Sequence, residues 1–410
     1  MALLDTTCCI VGGGPAGMML GFLLARAGID VIVIEKHADF FRDFRGDTIH
    51  PSTLENIHEL GLLDEFLKRP HQEAREIGAR IGETSLTVAD FSHLPTRCKF
   101  IAFMPQWEFL DFVASQARRR KTFRLLMETE AIDLIEDGGR VTGVRAKTGS
   151  GEIEIKAKLI VAADGRHSTI RAKSQLEVMD LGAPMDVLWL RISKRPDDPA
   201  QSFGRIVAGR ILIMIDRGDY WQCAFVIAKG SFIEIHKRGL AAFQKDLAAL
   251  VPTLSDRVQE LADWDHIKLL TVEVDRLKRW HRPGLLCIGD AAHAMSPIGG
   301  VGINLAIQDA VAAANILAAP LGRGLVNDTD LQRVQDRRER PTRVTQAFQV
   351  FAQKRFIARI LSARETPSLP LPLRLLRRWP YLRRIPARFI GLGFRPEHVK
   401  TRDVRATLIS

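Results

Sequence analysis

Tyrosine is almost missing from this chain. Tyr220 and Tyr381 are the only two in 410 residues, so a tyrosine-based relay for activating a phenol would have little to draw on. Cysteine is scarce and unpatterned: Cys8, Cys9, Cys98, Cys223 and Cys287 are odd in number and form no CxxC pair. Neither a disulfide framework nor a zinc site is expected, and reduced, buried thiols in a cytoplasmic protein are the natural reading. No stretch reaches about eighteen uninterrupted apolar residues, so no transmembrane helix is expected. Residues 1–7 carry no basic n-region and run straight into an apolar strand, which argues against a signal peptide. Internal repeats and low-complexity tracts are absent. An excess of one charge is also missing from most of the chain. Of the net charge of +11, residues 366–410 contribute +8, with ten Arg or Lys against Glu397 and Asp403, and the rest is near balance. A nucleic-acid-binding surface is therefore not expected; a local basic, apolar tail is.

The composition that remains, 46% hydrophobic and 26% charged, is ordinary for a globular protein. The length suits two or three domains, each with its own core. The chain opens with the apolar run Cys8-Cys9-Ile10-Val11, a glycine-rich turn at 12–17, a helix over 18–27 closed by Gly28, and a second apolar strand, 31–34, ending at Glu35. Such a βαβ start implies a parallel sheet covered by helices. Helical patterns recur over 54–67 and 107–119. Two later apolar strands, 158–163 and 285–288, end at Asp164-Gly165 and Gly289-Asp290. Between them the texture changes to alternating, β-rich segments such as 187–192, 211–215 and 220–227. After Ile303 the chain reads as helical to about Arg364. Then Pro367, Pro370, Pro372, Pro380 and Pro386 break it into short pieces. The sequence thus predicts an α/β protein in three parts. A discontinuous Rossmann-like domain takes 1–75, 105–180 and 280–320. An inserted, mostly antiparallel β-sheet domain for a substrate takes 76–104 and 181–279, and a helical C-terminal region with a basic tail takes 321–410.

Gly12, Gly14 and Gly17 satisfy GxGxxG. Gly12 allows the tight turn, Gly14 lets a pyrophosphate approach the backbone, and Gly17 lets helix and strand pack closely. Pro15, followed by Ala16, suits a first helical turn because the donor it lacks is one the helix leaves unused. The pyrophosphate then meets free N–H groups at a helix N-terminus, where the helix dipole favours an anion. Glu35 stands at the end of the second strand, placed to accept hydrogen bonds from a ribose, and it argues against a 2′-phosphate there. A lone GxGxxG is a weak signal, but strand, helix, second strand and terminal acid fall in place together. FAD and NAD both remain open at this point.

The run 289–304, Gly-Asp-Ala-Ala-His-Ala-Met-Ser-Pro-Ile-Gly-Gly-Val-Gly-Ile-Asn, selects FAD. Asp290 could accept bonds from a polyol such as the ribityl chain. Gly299, Gly300 and Gly302 form a loop whose backbone can approach a flat ring, and the loop opens a helix over 303–317. That helix N-terminus would stabilise negative charge on a reduced flavin. A cap followed by a turn would explain Asp290 alone, but not so much glycine beside it. An NAD-dependent dehydrogenase would leave this whole segment unexplained.

With these motifs in place, the chain resembles the FAD-dependent aromatic-ring hydroxylases, the class A flavoprotein monooxygenases typified by p-hydroxybenzoate hydroxylase and including the ubiquinone-ring hydroxylases. Residues 12–17, Asp164-Gly165, and Gly289-Asp290 with Pro297, Gly299 and Gly302 match in the family's order and span roughly three quarters of the chain. The resemblance implies that the Rossmann-like domain is an FAD-binding domain. Glu35 would bind the adenosine ribose, with Lys36 and Ala131 included among the cofactor-binding positions. Arg45 would contact the flavin phosphates and the nicotinamide partner. Gln106 would lie near the pyrophosphate and ribityl chain, and Asp164 would serve both FAD and NAD(P)H. Pro297, Gly300, Gly302, Ile303 and Asn304 would cradle the isoalloxazine. Arg42 reads equally as a solvated loop charge. His293 reads as a structural part of the loop after Asp290, and His50 as a helix-start residue. No catalytic residue and no metal ligand is assigned.

No second GxGxxG exists, so NADH or NADPH would bind transiently over the FAD. In the resembled family, hydride reaches flavin N5, dioxygen adds at C4a, and the hydroperoxide transfers one oxygen to the substrate. The cofactor carries that chemistry, and the protein must keep water away. The inserted sheet could roof the ring, with Trp189, Arg191, Met214, Trp221, Cys223 and Phe225 as candidate lining, one sheet face being core. The substrate would be an aromatic or other lipophilic small molecule; a phenol, a polyketide, a quinone and an alkaloid all remain open. A flavin-dependent reductase or cyclase of a polyprenyl or lipid substrate is the alternative. A halogenase would resemble proteins with Trp-x-Trp-x-Ile-Pro, but all six tryptophans are isolated. In the tail, Arg374, Arg377, Arg378, Arg383, Arg384 and Arg388 interleave with apolar residues. This suits an anionic membrane surface, or a segment packed over the FAD-binding domain with a solvated arginine face. No reading of oligomeric state follows.

Overall fold

Val31–Ile34 is β-branched throughout and buried at every residue, the pattern of a strand covered on both faces. In the computed structural model, which describes residues 2–41, 46–198, 202–365 and 368–404, this strand pairs in parallel with Ala2–Val11. Ala2–Val11 pairs in parallel with Gly151–Ala162, and that strand with Leu285–Cys287. Phe123–Leu126 closes the far edge, also parallel. The register sets Val11 beside both Ile34 and Ala162, and Ala162 beside Cys287. Four strand ends therefore finish level, and the segments that follow them share one edge. Glu130–Asp137 and Arg140–Thr148 extend the first half of Gly151–Ala162 antiparallel. The helices Pro15–Arg26, Gln106–Arg118 and Gly302–Gly322 share one apolar core with this eight-stranded sheet.

The helical pattern expected over 54–67 is split into Pro51–Glu59 and Leu63–Phe66. Gly61 between them takes φ +72°, a left-handed conformation that ends a helix. Among the described residues, only the stretch Ile298–Gly322 is long and apolar enough to cross a membrane, and most of it is buried inside the fold.

A second, seven-stranded sheet runs in the order Lys268–Leu270, Met185–Ser193, Tyr220–Ala228, Arg210–Asp216, Phe203–Val207, Glu76–Ile81, Thr84–Asp90. All its pairings are antiparallel except Phe203–Val207 with Glu76–Ile81. Ile101–Phe103 pairs instead with Thr48–Ile49 and Gln72–Ala74 in a small sheet of its own. Strand alternation sends successive side chains to opposite faces. On one face, Met214, Trp221, Cys223 and Phe225 are buried with Phe243 and Leu247 of the helix Leu240–Leu250. The other face carries Val187, Trp189 and Ala224 in one cluster and Met185, Ile211 and Val226 in another. Four of the six lining candidates named from the sequence are thus core, and only Trp189 and Arg191 belong to the opposite face. Alternation alone could not tell the faces apart, because both are apolar.

Asp328–Ala352 follows as a long helix, and Leu371–Arg378 and Arg384–Gly391 are short ones. Residues 392–404 then return across the first sheet's helices. Asn56 Nδ2 donates to Glu397 O at 2.8 Å, and Arg120 Nη1 lies 2.6 Å from the Asp403 carboxylate. The tail is therefore packed on the fold, while Leu371, Trp379, Tyr381 and Ile385 are exposed. Among the described residues, none of the six arginines from Arg374 to Arg388 is within ion-pair distance of a carboxylate.

Candidate cofactor and substrate site

The level strand ends bring together the loop 12–14, Glu35, Asp164 and Gly289-Asp290. In open α/β sheets the crevice outside the carboxyl ends of the strands is where ligands bind. Gly12 has φ +106°, and a Cβ there would stand 2.5 Å from Ala163 O; a Cβ at Gly17 would collide with Gly12 O. Both are glycine for reasons internal to the fold. Gly14 is not: its φ of −73° suits any residue, and a Cβ would meet nothing within 4 Å. Among the described residues nothing fills that space, which leaves it open to a bound group. The helix Pro15–Arg26 starts there without a side-chain cap, leaving its first-turn N–H groups for an anion. The residues thus fit a dinucleotide pyrophosphate.

Glu35 is fixed at the loop's edge, its Oε2 accepting from Gly13 N at 2.9 Å and its Oε1 from His37 N at 3.1 Å. Thr129 N donates to Glu35 O at 2.9 Å, which carries the buried Ala131 to the same end of the sheet. Lys36 is exposed in the following loop. Asp164 accepts from Ser168 Oγ at 2.5 Å and Ile170 N at 3.3 Å; burial pushes its carboxyl up against the pull of these bonds. Asp290 is partly exposed, with Oδ2 3.6 Å from Arg166 Nη2. Gln106 begins the helix Gln106–Arg118, beside Gly46. Arg42 and Arg45 lie outside the described residues.

Pro297 leads into the turn Ile298–Gly300, where Gly299 and Gly300 take φ +77° and +61°. Gly302 opens the helix Gly302–Gly322, again without a side-chain cap. Thr48 Oγ1 donates to Gly300 O at 2.8 Å. The Asn304 side chain is engaged inward, Oδ1 accepting from His50 N at 3.1 Å and Thr53 Oγ1 at 2.7 Å. Ile303 is buried against Gly46. Backbone, rather than side chains, is what this loop offers a flat ring.

Sequence reasoning missed the residues that hold the loop. Gln349 Nε2 donates to Ser296 O at 2.9 Å and Ile298 O at 3.0 Å, Gln353 Nε2 to Ser296 Oγ at 2.7 Å, and Gln346 Nε2 to Ala294 O at 3.0 Å. Their spacing of three and four places them on one helix face, a signal that was present but reads as a solvated stripe. Asp309, fully buried, is the second anchor. Its Oδ2 accepts from Gly289 N at 3.1 Å and His293 Nε2 at 2.6 Å, and its Oδ1 from Arg338 Nε at 3.0 Å. Burial pushes this carboxyl up, but His293 and Arg338 hold it below the usual range. His50 is buried with Nδ1 2.7 Å from Ile390 O, and burial lowers its pKa to about 4. Among the described residues, no group of three His, Cys, Asp or Glu is disposed to hold a metal.

The spread of groups from Glu35 to the loop after Pro297 suits a two-part dinucleotide ending in a flat ring, which marks a flavoprotein oxidoreductase. Residues 5–348 match the family model described as an FAD binding domain. The chain is 34% identical over 351 residues to 6-methylpretetramide 4-monooxygenase of Streptomyces rimosus, covering 83% of this chain and 82% of that protein. It is 25% identical over 330 residues to para-nitrophenol 4-monooxygenase of Pseudomonas sp. strain WBC-3, covering 78% and 79%. The solved p-nitrophenol 4-monooxygenase of Pseudomonas putida DLL-E4 has the same fold, with a TM-score of 0.77 at 18% identity over 94% of this chain and 97% of that one. The chain belongs to the family of FAD-dependent aromatic-ring hydroxylases. It is an oxidoreductase, a monooxygenase whose cofactor is FAD and whose family typically takes NAD(P)H as co-substrate. The reductase or cyclase alternative is not favoured.

Proposed function

We propose that FAD lies along the glycine edge and that the protein hydroxylates a lipophilic aromatic molecule larger than a single ring. Gly12, Gly14, Pro15, Ala16 and Gly17 hold the pyrophosphate, Glu35 the adenosine ribose with Lys36 and Ala131 beside it, and Asp290 the ribityl chain with Gln106, Asp164 and Gly289 nearby. The backbone of Pro297, Gly300, Gly302, Ile303 and Asn304 backs the ring. Residues 1–75, 105–180 and 280–320 form the cofactor domain, 76–104 and 181–279 the substrate domain, and 321–410 the C-terminal region.

One observation carries the substrate reading: the face of the seven-stranded sheet opposite Leu240–Leu250 is apolar and meets the glycine loop, Met185, Ile211 and Val226 packing with Ile298 as well as with Ile357, Ile360 and Leu361. A broad apolar face above a flat ring suits an extended aromatic and excludes water, which the chemistry requires. Bound and reduced, FAD supplies the electrons that activate dioxygen. The uncapped N-terminus of Gly302–Gly322 favours negative charge beside it. The relative at 34% identity acts, by its name, on 6-methylpretetramide, in keeping with this reading. The test is a screen of polycyclic phenols and quinones for compounds that accelerate NADH or NADPH oxidation by the flavoprotein, with labelled dioxygen. Incorporation of one labelled oxygen is expected; accelerated oxidation with no oxygenated product from any compound overturns it.

The tail supports a second reading, peripheral contact with an anionic bilayer. The exposed Leu371, Trp379, Tyr381 and Ile385 stand beside six arginines, none of which, among the described residues, lies within ion-pair distance of a carboxylate, and each arginine near a bilayer surface would add about 1 kcal/mol. Liposome sedimentation of the full chain and of Trp379→Ser/Ile385→Ser decides it; equal behaviour at physiological salt removes the reading.

A further inference from the structure

Arg217 sits on the turn between Arg210–Asp216 and Tyr220–Ala228, a turn closed by Arg217 N donating to Tyr220 O at 3.0 Å and Gly218 N to Asp216 Oδ1 at 2.8 Å. Its guanidinium reaches out of the seven-stranded sheet, with Nη2 2.6 Å from Asp47 Oδ2; the side chains are 3% and 7% exposed. Gln222, on the same sheet, accepts from Arg217 Nε at 2.9 Å; burial pushes the Asp47 carboxyl up, and Arg217, Gln222 and the Gln106 backbone pull it back down.

Asp47 belongs to the other half of the molecule. Gly46 before it presses on Ile303, and Thr48 after it donates to Gly300 O at 2.8 Å. The acid is therefore embedded between two residues that touch the proposed ring cradle. Burying two charges is unfavourable unless the geometry returns it, and an apolar pair of similar volume is often as stable. Hydrophobic contact between the sheet and the loop would hold the halves together but would not fix their register, because apolar contact has no direction. A single charged pair at one point does.

We propose that Asp47 and Arg217 form a latch that fixes the seven-stranded sheet in one register over the flavin cradle, keeping the ring covered. They are positioning residues, acting through the sheet and the loop. The inference rests on the reading of that sheet as the roof of the flavin.

The test uses FAD-loaded protein and two readouts that do not depend on turnover: quenching of flavin emission by iodide, and hydrogen exchange in peptides spanning 46–53 and 211–222. Asp47→Asn and Arg217→Gln each leave a buried group unmatched and can fail to fold, so the deciding variant is Asp47→Leu/Arg217→Met. This variant should keep its flavin and melt near wild type. Yet its flavin should be quenched several-fold more readily, and exchange in both peptides should rise about tenfold, the signature of local opening. Peroxide released per NAD(P)H oxidised, with the best substrate from the screen, should rise in parallel. A folded, flavin-loaded double variant with wild-type quenching and exchange overturns the latch. Wild-type flavin quenched as freely as FAD in solution overturns the roof reading, and the latch with it.

Discussion

The glycine edge of the parallel sheet and the face of the seven-stranded sheet that packs on Ile298 are neighbours, yet they are built on opposite terms. At the edge, chemistry is delegated to backbone: Gly12 and Gly17 are excluded from carrying a side chain by collisions within the fold, Gly14 by nothing among the described residues. Stereochemistry leaves so few residue choices there that they form a motif. On the sheet face, Val187, Trp189, Ile211 and Val226 are apolar in the same way as Trp221 and Phe225 on the face that Leu240–Leu250 covers. Shape and volume are the only demands, and many residues meet them. A cofactor site is therefore readable in a way that a substrate site is not.

The largest way to break this contrast is at the buried anchor beneath the edge. Asp309→Ala leaves His293 without its acid and Arg338 with Glu397 alone, and should lower unfolding free energy by about 3–5 kcal/mol, the usual penalty for splitting a buried pair, measured by denaturant titration. If the edge depended on backbone alone, this variant would be nearly silent.

His50 gives the next effect, and it depends on pH. Its folded pKa of about 4 lies below the unfolded value of about 6.5. Between the two the unfolded chain binds more protons, so stability is complete above about pH 6.5 and falls as pH drops toward 4, by about 3 kcal/mol from this group. His50→Gln should flatten that part of the profile; an unchanged slope between pH 7 and 5 would show that His50 does not contribute.

Cofactor affinity separates the edge's two kinds of residue. Asp290→Ala should weaken FAD binding by about 1.5–3 kcal/mol, the range for hydrogen bonds to a charged acceptor. Gly14→Ala should leave the apoprotein's melting temperature unchanged while impairing reconstitution with FAD, whereas Gly17→Ala should lower both. Full flavin occupancy and affinity in Asp290→Ala and Gly14→Ala would displace the cofactor from this edge. The smallest effect is expected at the exposed part of the opposite sheet face. Ile213 is 38% exposed there, so Ile213→Ala should change stability by no more than about 0.5 kcal/mol while altering KM for an aromatic substrate. The reverse pattern would mean that this face is core.

How much of the site was legible follows the same division. Gly12, Gly14, Gly17, Glu35, Asp164, Gly289 and Asp290 were singled out by spacing and by their places at strand ends, and the strand register sets them along one edge. Asn304 was named for its backbone; that its side chain bonds His50 and Thr53 is something a linear motif cannot express. Gln346, Gln349, Gln353, Asp309 and Arg338 went unread because polar residues on a helix look solvated until something covers them. Met214, Trp221, Cys223 and Phe225 were offered as lining because alternation gives two faces without saying which one a helix will cover.

By itself, then, the sequence determined the local units. The apolar strands, the glycine turns with φ values few other residues tolerate, and the acids at strand ends follow from short-range sterics and hydrogen bonding within a few residues. The tertiary structure alone decided which sheet face Leu240–Leu250 covers, that Gln349 reaches Ser296, and that Arg217 meets Asp47. Those outcomes depend on packing between segments separated by tens to hundreds of residues, where burial turns a polar side chain from solvent-facing into a fixed partner.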